Sequence, residues 1–240
     1  MIHNRYIPKI PQNTFITFIS NSLMLSDIHV NQIKIRRELK KTDGKQESWV
    51  LSHMDACDLS WKFIMSKKLI QCNSISDWFT ELNRRVMEPV CNDRGEVYSS
   101  SELGVYRSSD QCCTEDAMID YEEIDEKMNS LFSCIEEADK KYDDSIMPHR
   151  INLGVATTLA SIAWKLQFQI GYICPFFQGN WCSARIFINT LRCHWSLPWL
   201  TFNYEEHDDK EDVGRTYKNE ILRWFDLFDR EGVLTDKFIN

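Results

Sequence analysis

Glycine and proline are scarce, at eight and six in 240 residues. That is about half the usual share, and it argues against collagen, low-complexity linkers and turn-dense β folds. It favours long helices. No run of about 20 predominantly apolar residues occurs, so no membrane span is expected. The uncharged stretch 166–184 is broken by Gln167, Gln169, Gln178, Asn180 and Ser183. The opening residues, MIHNRYIPK, lack the apolar segment of a signal peptide. There is no excess of basic residues either: 28 Lys and Arg against 36 Asp and Glu give a net charge of −8, against the expectation for a general nucleic-acid binder. A local basic pocket for a nucleotide is compatible with that sum. The nine cysteines include no C-x-x-C pair, so no structural zinc site is expected. Cys193 and His194 are adjacent, but no second pair completes a metal site. Without a signal peptide, the cysteines read as free thiols of a reducing compartment. The expected location is the cytoplasm, with an exported effector acting in a host cytosol as the alternative.

What is present fits one all-α domain over residues 1–240. Hydrophobic residues make up 43% and charged residues 27%, and a chain of this length can bury a full core. Residues 1–12, with two prolines, read as an extended arm. Asn13 precedes an apolar helix. Ser26-Asp27 can cap a second helix from Ile28 to about Lys41 with a basic outer face, and Asp43-Gly44 makes a turn. A buried helix is expected from Trp49 to Lys67. Another runs from Asp77 to Met87, capped by Ser76 and ended by Pro89. Residues 90–114 are Ser-rich and hold Gly95 and Gly104, so they read as a loop with a short hairpin. Glu115 to Lys141 is amphipathic in its second half, and Pro148 marks a boundary. Asn152 to Tyr172 is apolar nearly all round, which places it at the centre of the core. Trp181 to Cys193 is a second core helix. The acidic run 204–212 is a solvated linker to a last amphipathic helix from Val213 to Phe228, whose Trp224, Phe225 and Phe228 read as core.

One segment carries chemistry. Gly179-Asn180 is a tight turn opening a helix behind a buried helix. The first N–H groups of a helix lack internal partners, and the helix dipole there favours negative charge. Arg185 lies one turn into the same helix and can reach back. Gly179, Asn180 and Arg185 are thus a candidate phosphate cradle. Equally, Arg185 can pair with an acid such as Glu122 or Glu123.

The wider segment, Cys-Pro-Phe-Phe-Gln-Gly-Asn-Trp-Cys-Ser-Ala-Arg from Cys174 to Arg185, resembles the HPFx(D/E)GNGRxxR motif of the Fic (Fido) family. Pro175, Phe176, Gly179, Asn180 and Arg185 match. Downstream, Arg185-Ile-Phe-Ile-Asn189-Thr-Leu191 resembles the family's R-L-L-x-N-x-L, and Leu197-Pro198 its L-P turn. Upstream, Gly104, Tyr106 and Arg107 resemble the G-x-Y-R before its flap, and Ser20 to Asp27 a shortened form of its N-terminal segment. The matches come in the family's order and span nearly the whole chain. The resemblance implies an all-α, Fic-like helical domain with a short β-hairpin flap. It also implies transfer of AMP from ATP, with Mg²⁺, to a hydroxyl of a target protein.

The departures fall on the chemistry. Cys174 stands at the position of the family's general base, a histidine, and a thiol is a doubtful replacement. Loss of a positioned base costs about 10²–10⁴-fold. Gln178 stands at the metal carboxylate, and a neutral amide is a weak Mg²⁺ ligand. Trp181 replaces the glycine that lets backbone approach phosphate, and its indole fills or narrows the site unless it turns away. Cys182 replaces a phosphate-binding arginine, a charged fork worth roughly 1.5–3 kcal/mol. The family's inhibitory glutamate has no counterpart in Ser22-Leu23-Met24. Pro175, Phe176 and Asn189 keep the structural positions. No metal and no cofactor is expected, with ATP and Mg²⁺ only if the resemblance extends to activity.

The expectation is a Fic-fold pseudoenzyme that binds a protein through its flap region. Two alternatives stand beside it: a transferase of altered chemistry, nucleotidyl or phosphocholine-type, and a plain helical interaction module. A novel thiol nucleophile or redox pair at Cys174 and Cys182 is weighed against incidental thiols.

Overall fold

A computed structural model describes residues 10–26, 28, 30–41, 46–65, 72–94, 102–109, 119–142, 146–147, 150–202, 219, 222–225 and 227. The elements in chain order are α1 Gln12–Met24, α2 Gln32–Glu38, α3 Ser48–Met65, α4 Cys72–Arg94, α5 Ile124–Tyr142, β1 Ile146–Met147, β2 Arg150–Ile151, α6 Leu153–Ile173 and α7 Asn180–His194. A single 3-10 turn, Tyr121–Glu123, leads into α5.

Helix α6 begins where Asn152 accepts the Gly154 N–H at 2.8 Å, a side-chain cap on an otherwise orphan donor. Leu159, Ala163, Leu166 and Ile170 are fully buried along it. It packs on α7, whose residues 183–191 are all buried. Phe187 of α7 meets Phe79 of α4 at 4.8 Å between ring centroids, Trp78 at 5.3 Å and Phe132 of α5 at 6.2 Å. Pairs of this kind contribute about 0.5–1.5 kcal/mol each beyond area burial. Asp139, almost fully buried on α5, accepts from Trp195 Nε1 at 3.0 Å and lies 2.9 Å from His194 Nε2, tying α5 to the end of α7. Trp224 and Phe225 join a satellite cluster with Phe168 and Tyr172 on α6.

Several boundaries differ from the sequence reading. The second helix starts at Gln32, not Ile28, because Asn31 caps it through the Lys34 N–H at 2.8 Å. Helix α4 starts at Cys72 and continues through Pro89 to Arg94. The proline removes one backbone donor, yet Val86 and Met87 before it and Cys91 after it are buried, and that packing carries the helix through. Helix α5 begins at Ile124, the first of the apolar residues at helical spacing. Among the described residues, a two-stranded hairpin is β1–β2, pairing Ile146 with Ile151 and Met147 with Arg150, while residues 95–101 and 110–114 of the expected flap lie outside the described residues. The arm 1–9, the remainder of 95–118, the acidic run 204–212 and most of the last expected helix lie outside the described residues. No helix among the described residues is long and apolar enough to cross a membrane.

Candidate functional site

The loop between α6 and α7 is built from two left-handed residues. Cys174 caps α6 with φ +47°, and Gly179 opens α7 with φ +76°. A Cβ at Gly179 would lie 2.6 Å from Met87 Sδ and 3.1 Å from Asn83 Nδ2, so the left-handed conformation favours glycine and an added side chain would have to displace Met87. Asn83 donates to the Gln178 carbonyl at 2.9 Å, holding the loop against α4. Phe176 turns into the core beside Phe79, at 5.2 Å.

Asn180 is the first residue of α7, and its amide closes the loop. Its Oδ1 accepts the Phe176 N–H at 2.8 Å, and its Nδ2 donates to the Phe176 carbonyl at 2.7 Å and to Cys174 Sγ at 3.1 Å. Cys174 is 2% exposed. The segment 102–109 lies across this loop. Tyr106 pairs with Phe176 in one antiparallel bridge, and the Arg107 N–H donates to the Pro175 carbonyl at 2.9 Å. The buried Arg107 guanidinium donates to the carbonyls of Cys174 and Ser109, each at 2.9 Å, and to that of Ile119. It braces the segment onto the motif. Asn189 does similar work at the far end of α7, exchanging two bonds with the Leu200 backbone at 3.0 and 2.7 Å.

Trp181 turns back toward α6. Its indole occupies the space beside Gly171, where an added Cβ would meet it at 2.2 Å. The ring faces Phe168 and Phe225, each at 6.4 Å. Gly171, which the sequence reading passed over, makes room for it.

Arg185 is fully buried, and no carboxylate pairs with it among the described residues. Glu122 and Glu123 are exposed at the start of α5 and are not its partners. Instead its Nε donates to Ser22 Oγ at 3.0 Å. Its Nη2 reaches the Ser22 carbonyl at 2.8 Å, Ser26 Oγ at 2.7 Å and Cys182 Sγ at 3.4 Å. The Ser22 carbonyl lies in the last turn of α1, the negative end of that helix dipole. The stretch that lacks a glutamate thus meets this arginine through hydroxyls and a carbonyl. His53 of α3 completes the network, with Nε2 3.2 Å from Ser22 Oγ and Nδ1 2.9 Å from the Trp49 carbonyl. Burial pulls His53 down to about 4, helped by the Arg185 charge and opposed by its bond to Trp49. Neither Ser22 nor His53 carries a motif signal, and the sequence reading assigned them no role.

A cleft of about 430 Å³ opens between α4, the segment 102–109 and the motif loop, lined among others by Met87, Cys91, Glu102, Tyr106, Phe177 and Gln178. Gly104 lets residues 102–109 lie close on α4: φ is +72°, and a Cβ would lie 2.5 Å from the Thr80 carbonyl oxygen. Gly104→Ala is expected to cost about 2 kcal/mol, since left-handed strain adds to a clash with backbone that cannot rotate away. Hydrogen exchange at the Arg107 amide should quicken along with the drop in thermal midpoint. No group of three or more His, Cys, Asp or Glu that could hold a metal occurs among the described residues.

No family model matches this sequence, and no curated protein matches it. Solved structures do. The chain is similar to a Fic-domain-containing signalling protein from Bacteroides thetaiotaomicron VPI-5482, with a TM-score of 0.58 at 19% identity over 94% of this chain and 75% of that one. It is also similar to Fic-1 from C. elegans, residues 134–508, with a TM-score of 0.51 at 14% identity over 96% of this chain and 68% of that one. At these identities the likeness is one of fold: the chain has an all-α Fic fold.

Proposed function

We propose that this Fic-fold protein does not transfer AMP and acts by binding a protein at the cleft beside residues 102–109. The observation that carries the reading is the state of the Asn180 amide. Both its ends are spent on Phe176 and Cys174 within the loop, so it is not held out toward a phosphate. Three further features support it. Cys174 is buried and takes a hydrogen bond from Asn180. Gln178 offers only a neutral amide where a magnesium nucleotide requires a carboxylate. Cys182 leaves the outer phosphates without a cationic fork. These residues do not fit Mg²⁺-ATP. The cleft is bordered by the exposed Val105 as well as by Ser108, Ser109, Tyr106 and Phe177, a mixture suited to an extended polypeptide.

The test is incubation with labelled ATP, Mg²⁺ and a cell lysate, followed by gel autoradiography. No incorporation is expected, and incorporation lost in Cys174→Ala would overturn the reading. A second reading, a transferase using another anionic donor, draws on Arg185, whose charge meets no carboxylate among the described residues. Thermal shift with ATP, GTP and CDP-choline in Mg²⁺ separates the two. A flat response is expected, and stabilisation by one donor favours the second reading.

A further inference from the structure

Cys182 and Arg185 form a feature that the binding role leaves unused. Cys182 sits in the first turn of α7 and is half-buried, whereas Cys57, Cys91 and Cys174 are buried. Its sulfur lies 3.4 Å from Arg185 Nη2 and 3.3 Å from Ser26 Oγ. Arg185 is 0% exposed, and its remaining terminal nitrogen, Nη1, has no hydrogen-bond partner among the described residues. A fully buried guanidinium N–H without an acceptor is costly and uncommon. Here the orphan nitrogen belongs to the same planar group that already touches the sulfur. An oxygen added to that sulfur would be a new acceptor beside this guanidinium.

We infer that Cys182 is a peroxide-oxidisable thiol whose sulfenic product is received by Arg185. The substrate is hydrogen peroxide. A sulfur lone pair forms an S–O bond as the O–O bond breaks, and the departing hydroxide takes the thiol proton and leaves as water. The sulfur loses two electrons, and the peroxide gains them. The product oxygen then accepts from Nη1, which satisfies the orphan donor and holds the sulfenic acid against further oxidation. Cys57 is the contrasting case: it is fully buried, and burial together with Asp58 and Cys193 pushes its thiol far up, so it does not compete.

The experiment treats the full chain with hydrogen peroxide in the presence of a 1,3-diketone sulfenic acid trap and reads each cysteine by peptide mass spectrometry. Cys134 and Cys193, also half-buried, are the internal references. Cys182 is expected to label about tenfold faster than either, because only its sulfenic oxygen gains a guanidinium partner. That lead should vanish when the same chain is oxidised in 8 M urea, and it should shrink in Arg185→Lys, which removes the planar second nitrogen. Equal labelling of the three cysteines in the folded protein overturns the inference. So does a Cys182 lead that persists in urea, since it would then belong to local sequence. If Arg185→Lys fails to fold, the folded-versus-urea comparison decides alone.

Discussion

Asn180→Ala is expected to lower stability by about 3 kcal/mol, read as a drop in the urea midpoint at unchanged slope. The side chain is 5% exposed and holds the loop through bonds at 2.7 and 2.8 Å to the Phe176 backbone. Alanine strips both backbone groups of that partner at a place water does not reach. Each buried polar group that loses its bond costs roughly 1–3 kcal/mol, and the loop recovers part of this by shifting. Phe176 would be loosened where it meets Phe79, so the damage spreads into α4. Asn180→Asp gives a sharper result. The aspartate keeps the acceptor for the Phe176 N–H but sets an anionic oxygen against the Phe176 carbonyl. It should be less stable than the alanine variant at pH 7, and the deficit should shrink as pH falls toward about 4, because the folded state protonates this carboxyl before the unfolded state does. A loss under about 1 kcal/mol for Asn180→Ala would show an amide available to a ligand rather than committed to the fold.

Much of this architecture is legible in the sequence, and the exceptions share a cause. The all-round apolarity of 152–172 placed α6 at the centre, because a helix apolar on every face has nowhere else to go. The Gly179-Asn180 step placed the start of α7, because a left-handed residue followed by a helix is written in two letters. Pro89 misled because a local rule met a tertiary one: buried Val86, Met87 and Cys91 on both sides of it outweigh one missing bond. The direction of Trp181 was invisible because it depends on a missing side chain at Gly171, on the preceding helix. The partner of Arg185 was invisible because Ser22 lies 163 residues away in sequence. A buried arginine that meets hydroxyls and a carbonyl rather than a described carboxylate offers no pattern to search for. Motif positions thus announced which residues gather at the loop. Which of them face inward and which face a ligand depends on contacts between helices.

The same network sets how the protein should respond to acid. Arg185 Nε donates to Ser22 Oγ, so the Ser22 hydroxyl donates to His53 Nε2, and His53 Nδ1–H donates to the Trp49 carbonyl. In this arrangement His53 is neutral. A proton added at Nε2 would meet a hydroxyl already receiving from a cation. The folded chain therefore holds His53 near 4, while the unfolded chain binds a proton near 6.5. Between those values the unfolded state carries more protons, so stability is full above about pH 6.5 and falls as pH drops toward 4. The slope is about 1.4 kcal/mol per pH unit and the total about 3 kcal/mol. Glu81, held at about 2 by Arg84 with Arg85 adding to it, loses its contribution only as pH falls from about 4.5 toward 2, so it does not obscure the range from pH 7 to 5. Urea unfolding at pH 7, 6 and 5 should show about 2 kcal/mol lost by pH 5. In His53→Gln an amide can accept from Ser22 and donate to Trp49 without titrating. That variant should lose less than half as much over the same range. The other histidines are common to both chains, so the difference between the two profiles belongs to residue 53. Parallel profiles would mean that His53 is not the group that couples α1, α3 and α7 to pH.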